Sequence, residues 1–101
     1  MNSYSNDKMN VNPKIMGFFS ALSDETRLKI VIGLKEGKKS VTDIHKFVGE
    51  GKVTLSGISH QLNYLRNLDI VESTKQGKER IYSLSNNFCW CMLRDAISHF
   101  K

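Results

Sequence analysis

The sequence predicts a mainly α-helical domain of five helices with one small β-hairpin, on three observations. Apolar residues recur at helical spacing in segments that open on capping residues and close on glycine. Over residues 70–84 the pattern shifts to short β-rich runs around a polar turn. The length of 101 residues holds one domain.

Residues 1–12 are polar and Asn-rich and read as a flexible tail, leaving residues 13–101 as the folded unit. Pro13 suits a first helical position, where its missing N–H is one of the unpaired donors, and Asn12 caps from just outside. That first helix runs to about Leu22. Ser23, with Asp24 and Glu25 behind it, reads as the cap of a second helix whose positive end favours the two acids. Leu28, Ile30, Val31, Ile32 and Leu34 surround this helix on most sides, as expected at the centre of a small bundle, and Gly37 ends it.

Thr42 is expected to cap a short third helix in which Ile44, Phe47 and Val48 form an inward stripe, stopped by Gly49. After Glu50-Gly51-Lys52, Thr54 caps a fourth helix whose Ile58, Leu62 and Leu65 fall at i, i+4, i+7. Two short capped helices joined by a Gly-containing turn outline a helix-turn-helix, a pair also common in bundles that bind nothing. Residues 70–74 and 80–84 then form a hairpin, with Tyr82 and Leu84 inward and Arg80 reaching out at the tip. Residues 86–101 make a last helix carrying Phe88, Cys89, Met92, Leu93, Ala96, Ile97 and Phe100. An apolar face this broad at a chain end wants a partner.

Leu, Ile, Val and Phe supply 28 of the 101 residues, well above the roughly one-fifth below which a charged chain fails to collapse. A domain of this size is marginal alone, so a second copy is an easy source of further burial. No apolar stretch approaches the roughly twenty residues that cross a bilayer, and no membrane partner is expected. The polar first fourteen residues lack the apolar centre of a secretory signal, so the expected compartment is the cytoplasm. The net charge of +5 favours an anionic partner. Three histidines and no acid, base and nucleophile set at telling spacing argue against an enzyme. No cofactor is implied.

With Ile58, Leu62 and Leu65 inward, Ser56, His60, Asn63, Tyr64 and Asn67 face the other way. Between Val53 and Leu68 the only formal charge is Arg66. A solvated helix usually interleaves Lys with Glu; this one offers Thr54, Ser56, Ser59, His60, Gln61 and Asn63, neutral donors and acceptors suited to base edges in a major groove. The plainer reading is an uncharged capping helix. The hairpin tilts the balance, because Lys75, Gln76, Lys78 and Arg80 crowd its tip, where they could neutralise phosphates beside that helix. Without the helix, tip charges would only keep an edge soluble.

These residues carry a resemblance. ISHQLNYLRNLDIV at 58–71, Lys75-Gln76-Gly77 and Ile81-Tyr82-Ser83-Leu84 resemble the ArsR/SmtB family of winged helix-turn-helix repressors. ALSDETRLKI at 21–30 is similar to that family's opening motif. The resemblance implies a five-helix domain with a wing, a homodimer through the first and last helices, and two recognition helices in successive major grooves of an inverted-repeat double-stranded DNA operator. Position by position it places Thr54, Ser56, Ser59, His60 and Gln61 in the DNA-reading stretch and Lys78 and Arg80 in the wing. Glu50-Gly51-Lys52 departs from the family as a three-residue insertion in the turn.

Many relatives respond to metal. The positions of the family's Cys-x-Cys pair hold Ser40 and Thr42, whose hydroxyls do not replace thiolates for soft metals. The positions of its last-helix zinc ligands hold Asn86, Phe88 and His99, one ligand where four close a site. Neither usual metal site is therefore expected. Cys89 and Cys91 remain. Two helical residues two apart diverge by about 200°, so a bridge between them needs unwinding or a second subunit. They read as small apolar residues in a dimer seam or, alternatively, as a thiol- or metal-responsive switch. The reading as a whole is a DNA-binding transcriptional repressor; the alternative is a winged-helix module that binds another protein.

Overall fold

A computed structural model of the protein describes residues 11–101. In chain order it contains α1 (Pro13–Leu22), α2 (Glu25–Glu36), β1 (Lys39–Ser40), α3 (Val41–Val48), α4 (Leu55–Asn67), β2 (Val71–Gln76), β3 (Glu79–Leu84) and α5 (Trp90–His99). The strands form one antiparallel sheet in the order β1-β3-β2. Most of the tail expected over residues 1–12 lies outside the described residues. No helix among the described residues is long and apolar enough to cross a membrane.

The capping residues decide where each helix begins. Asn12 Oδ1 accepts from the Ile15 amide at 2.9 Å, with Pro13 in the first turn, as the sequence predicts. For α2 the cap is Asp24 and not Ser23. Ser23 keeps helical dihedrals, so its hydroxyl donates back to Ser20 O at 2.8 Å; the extended backbone of Asp24 instead aims its carboxylate at the Arg27 amide, 3.0 Å away. Lys29 pairs with Glu25 one turn on, at 2.9 Å, and the hydrogen bond and charge of Lys29 hold the Glu25 carboxyl below its ordinary pKa. For α3 the cap is Ser40 and not Thr42, because Ser40 ends β1 in an extended conformation and its Oγ meets the Asp43 amide at 3.2 Å. Thr42 falls within the first turn, exposed.

The core gathers Ala21 from α1, Ile30, Val31 and Leu34 from α2, Ile44 and Val48 from α3, and Ile58, Leu62 and Leu65 from α4, closed below by Ile70, Val71, Tyr82 and Leu93. Phe47, expected inside, is 40% exposed. Its ring rests on Gly33, where an added Cβ would stand 2.8 Å from Cδ2, and Lys39 Nζ lies 5.6 Å from the ring centroid. The α3 stripe reaches the rim of α2 at that point, and a residue without a side chain there gives one face of the ring a seat.

The hairpin pairs Val71 with Leu84 and Ser73 with Tyr82, which buries Tyr82 and half-buries Leu84 on the core face and leaves Arg80 exposed further out, as expected. Its turn is shorter than the sequence suggested: the strands reach Gln76 and Glu79, leaving Gly77 and Lys78, with Gly77 at φ 65° where a side chain is strained. Strand β1, absent from the sequence reading, sets Lys39 opposite Tyr82 and Ser40 opposite Ile81. The last helix is also shorter than 86–101, since the residues before it form a turn: the Phe88 amide bonds Ser85 O and the Asn86 amide bonds Glu72 Oε2.

Candidate nucleic-acid interface

The connection between α3 and α4 is held from both sides. His45 Nε2–H donates to the Val53 carbonyl at 2.7 Å, and the Lys52 amide bonds Gly49 O at 3.1 Å, so the Glu50-Gly51-Lys52 turn is folded back on α3. Thr54 then caps α4 as predicted, its Oγ1 accepting from the Gly57 amide at 3.0 Å. At the far end, Asp69 adopts φ 59°, a conformation that Asp tolerates better than most residues. Its carboxylate accepts from Ser85 Oγ at 3.0 Å and Asn87 Nδ2 at 2.6 Å. Both ends of α4 are thus pinned.

Ile58, Leu62 and Leu65 are fully buried, and Ser56, His60, Asn63, Tyr64 and Asn67 are exposed on the opposite side, as helical periodicity requires. Ser59 and Gln61 are half-buried. Several of these groups already have partners: Gln61 Oε1 accepts from Arg27 Nη1 at 2.9 Å, Asn63 Oδ1 accepts from Arg66 Nη2 at 3.2 Å, and Thr54 Oγ1 lies 3.3 Å from Ser56 Oγ. Sequence reasoning passed over two residues here. Leu55, the first helical residue after the cap, is 45% exposed beside the hydroxyls. Arg27 reaches α4 from α2; its presence in the 21–30 motif was the signal, but nothing in the chain pointed to Gln61.

Lys75, Lys78 and Arg80 are all exposed on the wing. Lys75 and Arg80 are cross-strand partners, and Arg80 Nη1 donates to Ser73 Oγ at 3.1 Å. Lys78, Glu79 and Arg80 border a shallow cleft with Ser40, Val41 and Thr42, which joins the wing tip to the first turn of α3. The exposed side of α4 thus carries mainly neutral hydrogen-bonding groups, and the end of the β2–β3 hairpin carries exposed cations.

The cysteines correct the sequence reading. Cys89 and Cys91 form a disulfide with their Cα atoms 5.3 Å apart. The divergence expected of two helical residues does not arise, because Cys89 precedes α5 in an extended conformation and its side chain turns toward Cys91. Among the described residues no group of three or more His, Cys, Asp or Glu gathers as a metal site; Ser40 serves as a helix cap, and His99 is exposed in the last turn of α5.

A family model described as "Bacterial regulatory protein, arsR family" matches residues 24–73. The chain is 34% identical over 101 residues to a cadmium resistance transcriptional regulatory protein CadC homolog of Staphylococcus aureus, covering 98% of this chain and 81% of that protein. It belongs to the ArsR family. The cadmium resistance transcriptional regulatory protein CadC of Listeria innocua is 43% identical over 75 residues, 73% of this chain. The aligned stretch is 60% of that relative's length. Among solved structures, the transcriptional repressor BigR of Xylella fastidiosa superposes with a TM-score of 0.76 at 28% identity, covering 100% of this chain and 98% of that one. The fold of this ArsR-family chain is the winged helix-turn-helix, with α3 and α4 as the helical pair and β2–β3 as the wing.

Proposed function

We propose that the protein is a sequence-specific double-stranded-DNA-binding transcriptional repressor, a homodimer that acts in the cytoplasm by occupying an inverted-repeat operator. The observation that carries the reading is the exposed polar side of α4, whose one formal charge is Arg66, together with the exposed cations of the wing. Ser56, His60 and Asn63 meet base edges, supported by Thr54, Ser59 and Gln61; Lys75, Lys78 and Arg80 neutralise phosphates. Membership of a family of bacterial regulators supports it. The exposed Ile15, Met16 and Phe19 of α1 and Met92, Ile97 and Phe100 at α5 form the apolar surface that a second copy covers. Phe18 and Phe88, with ring centroids 6.1 Å apart, tie the foot of α5 to α1.

Selection of bound duplexes from a random pool tests the reading and should return an inverted repeat. On the selected duplex, a dimer neutralising about six phosphates gives a slope of log K against log salt near −5, flattened by about one unit for each phosphate left unneutralised when Lys78 or Arg80 is replaced. His60→Ala should cost about 1–3 kcal/mol of preference and leave weak general binding. A module that binds another protein would enrich no duplex and show no such slope.

The Cys89–Cys91 bridge favours a second layer, regulation by thiols. A disulfide in a reducing compartment is usually transient and regulatory, and this one sits at the start of α5. Reduction by a dithiol transfers two electrons and two protons to the sulfurs, freeing the turn that leads into the helix. Duplex titrations with and without dithiothreitol should then differ by about fivefold or more, and the Cys89→Ser/Cys91→Ser variant should give one curve in both conditions. Coincident wild-type curves would reject the thiol switch.

A further inference from the structure

We propose that Arg27 is a positioning residue that makes Gln61 a hydrogen-bond donor toward DNA, directing it to guanine or thymine and away from adenine. The inference rests on the DNA-reading role of α4 proposed above. Arg27 lies half-buried on α2, and its guanidinium is fixed at three points. Nε donates to the Ala21 carbonyl near the end of α1 at 2.9 Å; Nη1 donates to Gln61 Oε1 at 2.9 Å; the guanidinium carbon stands 4.5 Å from the centroid of the Tyr64 ring. Anchorage to α1 and to two neighbouring residues of one α4 turn leaves the group little room to swing.

A guanidinium carries only donors and stays charged. The Gln61 amide can therefore face it only through oxygen, and the planar amide then turns its NH2 away from Arg27. Among the described residues Nε2 makes no hydrogen bond, and no buried side-chain nitrogen or oxygen there lacks a partner. That end of the amide is open to a ligand. Gln61 occupies the flank of α4, between the buried Leu62 and the exposed His60. An unconstrained glutamine reads adenine with both ends, accepting from N6 and donating to N7. With its oxygen turned to Arg27 and one lone pair engaged there, Gln61 presents its NH2 donors outward. They match the adjacent acceptors O6 and N7 of guanine, or O4 of thymine, whereas the two-ended adenine contact would need the oxygen already bonded to Arg27 to accept from N6 as well.

The test compares, base pair by base pair, duplexes selected from a random pool by the wild-type chain and by Gln61→Ala, Gln61→Glu and Arg27→Lys. Gln61→Ala should relax one base pair per half-site, and there the wild type should take guanine or thymine over adenine by about tenfold. Gln61→Glu still accepts from Arg27 but replaces the amide donors with an oxygen, so the preference should turn to a base with an exocyclic amine, cytosine or adenine. Arg27→Lys keeps the charge without the fork. It should admit adenine at that pair alone, with preferences elsewhere and general affinity retained. A merely structural Arg27 would instead weaken all duplexes together. Should Arg27→Lys not fold, Gln61→Glu decides by itself. Adenine at that pair in the wild type, no pair relaxed by Gln61→Ala, or an unchanged preference in the other two variants overturns the inference and leaves DNA reading intact. No enriched duplex for the wild type overturns both.

Discussion

Leu62→Ala is expected to lower the unfolding free energy by about 2–5 kcal/mol. Leu62 is fully buried at the middle of α4, with Ile58 and Leu65 beside it in the same core cluster. Truncation removes its transfer free energy and leaves a cavity that the capped ends of α4 hinder from closing. Native domains are stable by only about 5–15 kcal/mol, so the loss is a large share of the total. Urea unfolding followed by circular dichroism should show a lower midpoint at unchanged slope. A change below about 1 kcal/mol would mean that α4 does not depend on this side chain for its seat.

Phe19→Glu combined with Phe100→Glu is expected to convert the protein to a monomer and to weaken operator binding by about 10²–10⁴-fold, the factor forfeited when two linked half-sites are bound independently. Phe19 is 59% and Phe100 83% exposed, so the substitutions cost the isolated chain little and act chiefly by setting charge in the proposed seam. Light scattering measures the mass and a duplex titration the affinity. A variant that stays dimeric, or a monomer that binds the inverted repeat as well as the wild type, would move the dimer surface away from α1 and α5.

Much of the fold was legible because it rests on local chemistry. Thr54 and Asn12 read correctly as caps because each needs only an amide three residues ahead. Ser23 and Thr42 did not. A hydroxyl at either place looks equally able to cap, and the choice depends on which residue has left helical dihedrals, which is set by the preceding element. Strand β1 has two residues and no period to read; it forms because α2 and α3 deliver Lys39 and Ser40 to the free edge of β3. The helical arithmetic for Cys89 and Cys91 was sound for a helix but was applied to a residue outside one.

The candidate site divides in the same way. Spacing alone separated the inward Ile58, Leu62 and Leu65 from the outward Ser56, His60 and Asn63, since a buried apolar stripe fixes the rotation of its helix. Charge counting alone marked the wing tip. The chain by itself therefore determined which residues face out and what they can bond. Tertiary structure decided which of those bonds are already taken: Arg27 and Gln61 stand 34 residues apart, and no local pattern announces a hydrogen bond made only when two helices pack. Occupancy of a hydrogen-bonding group is a property of the whole packing, whereas its chemistry and its facing belong to the residue and its helix.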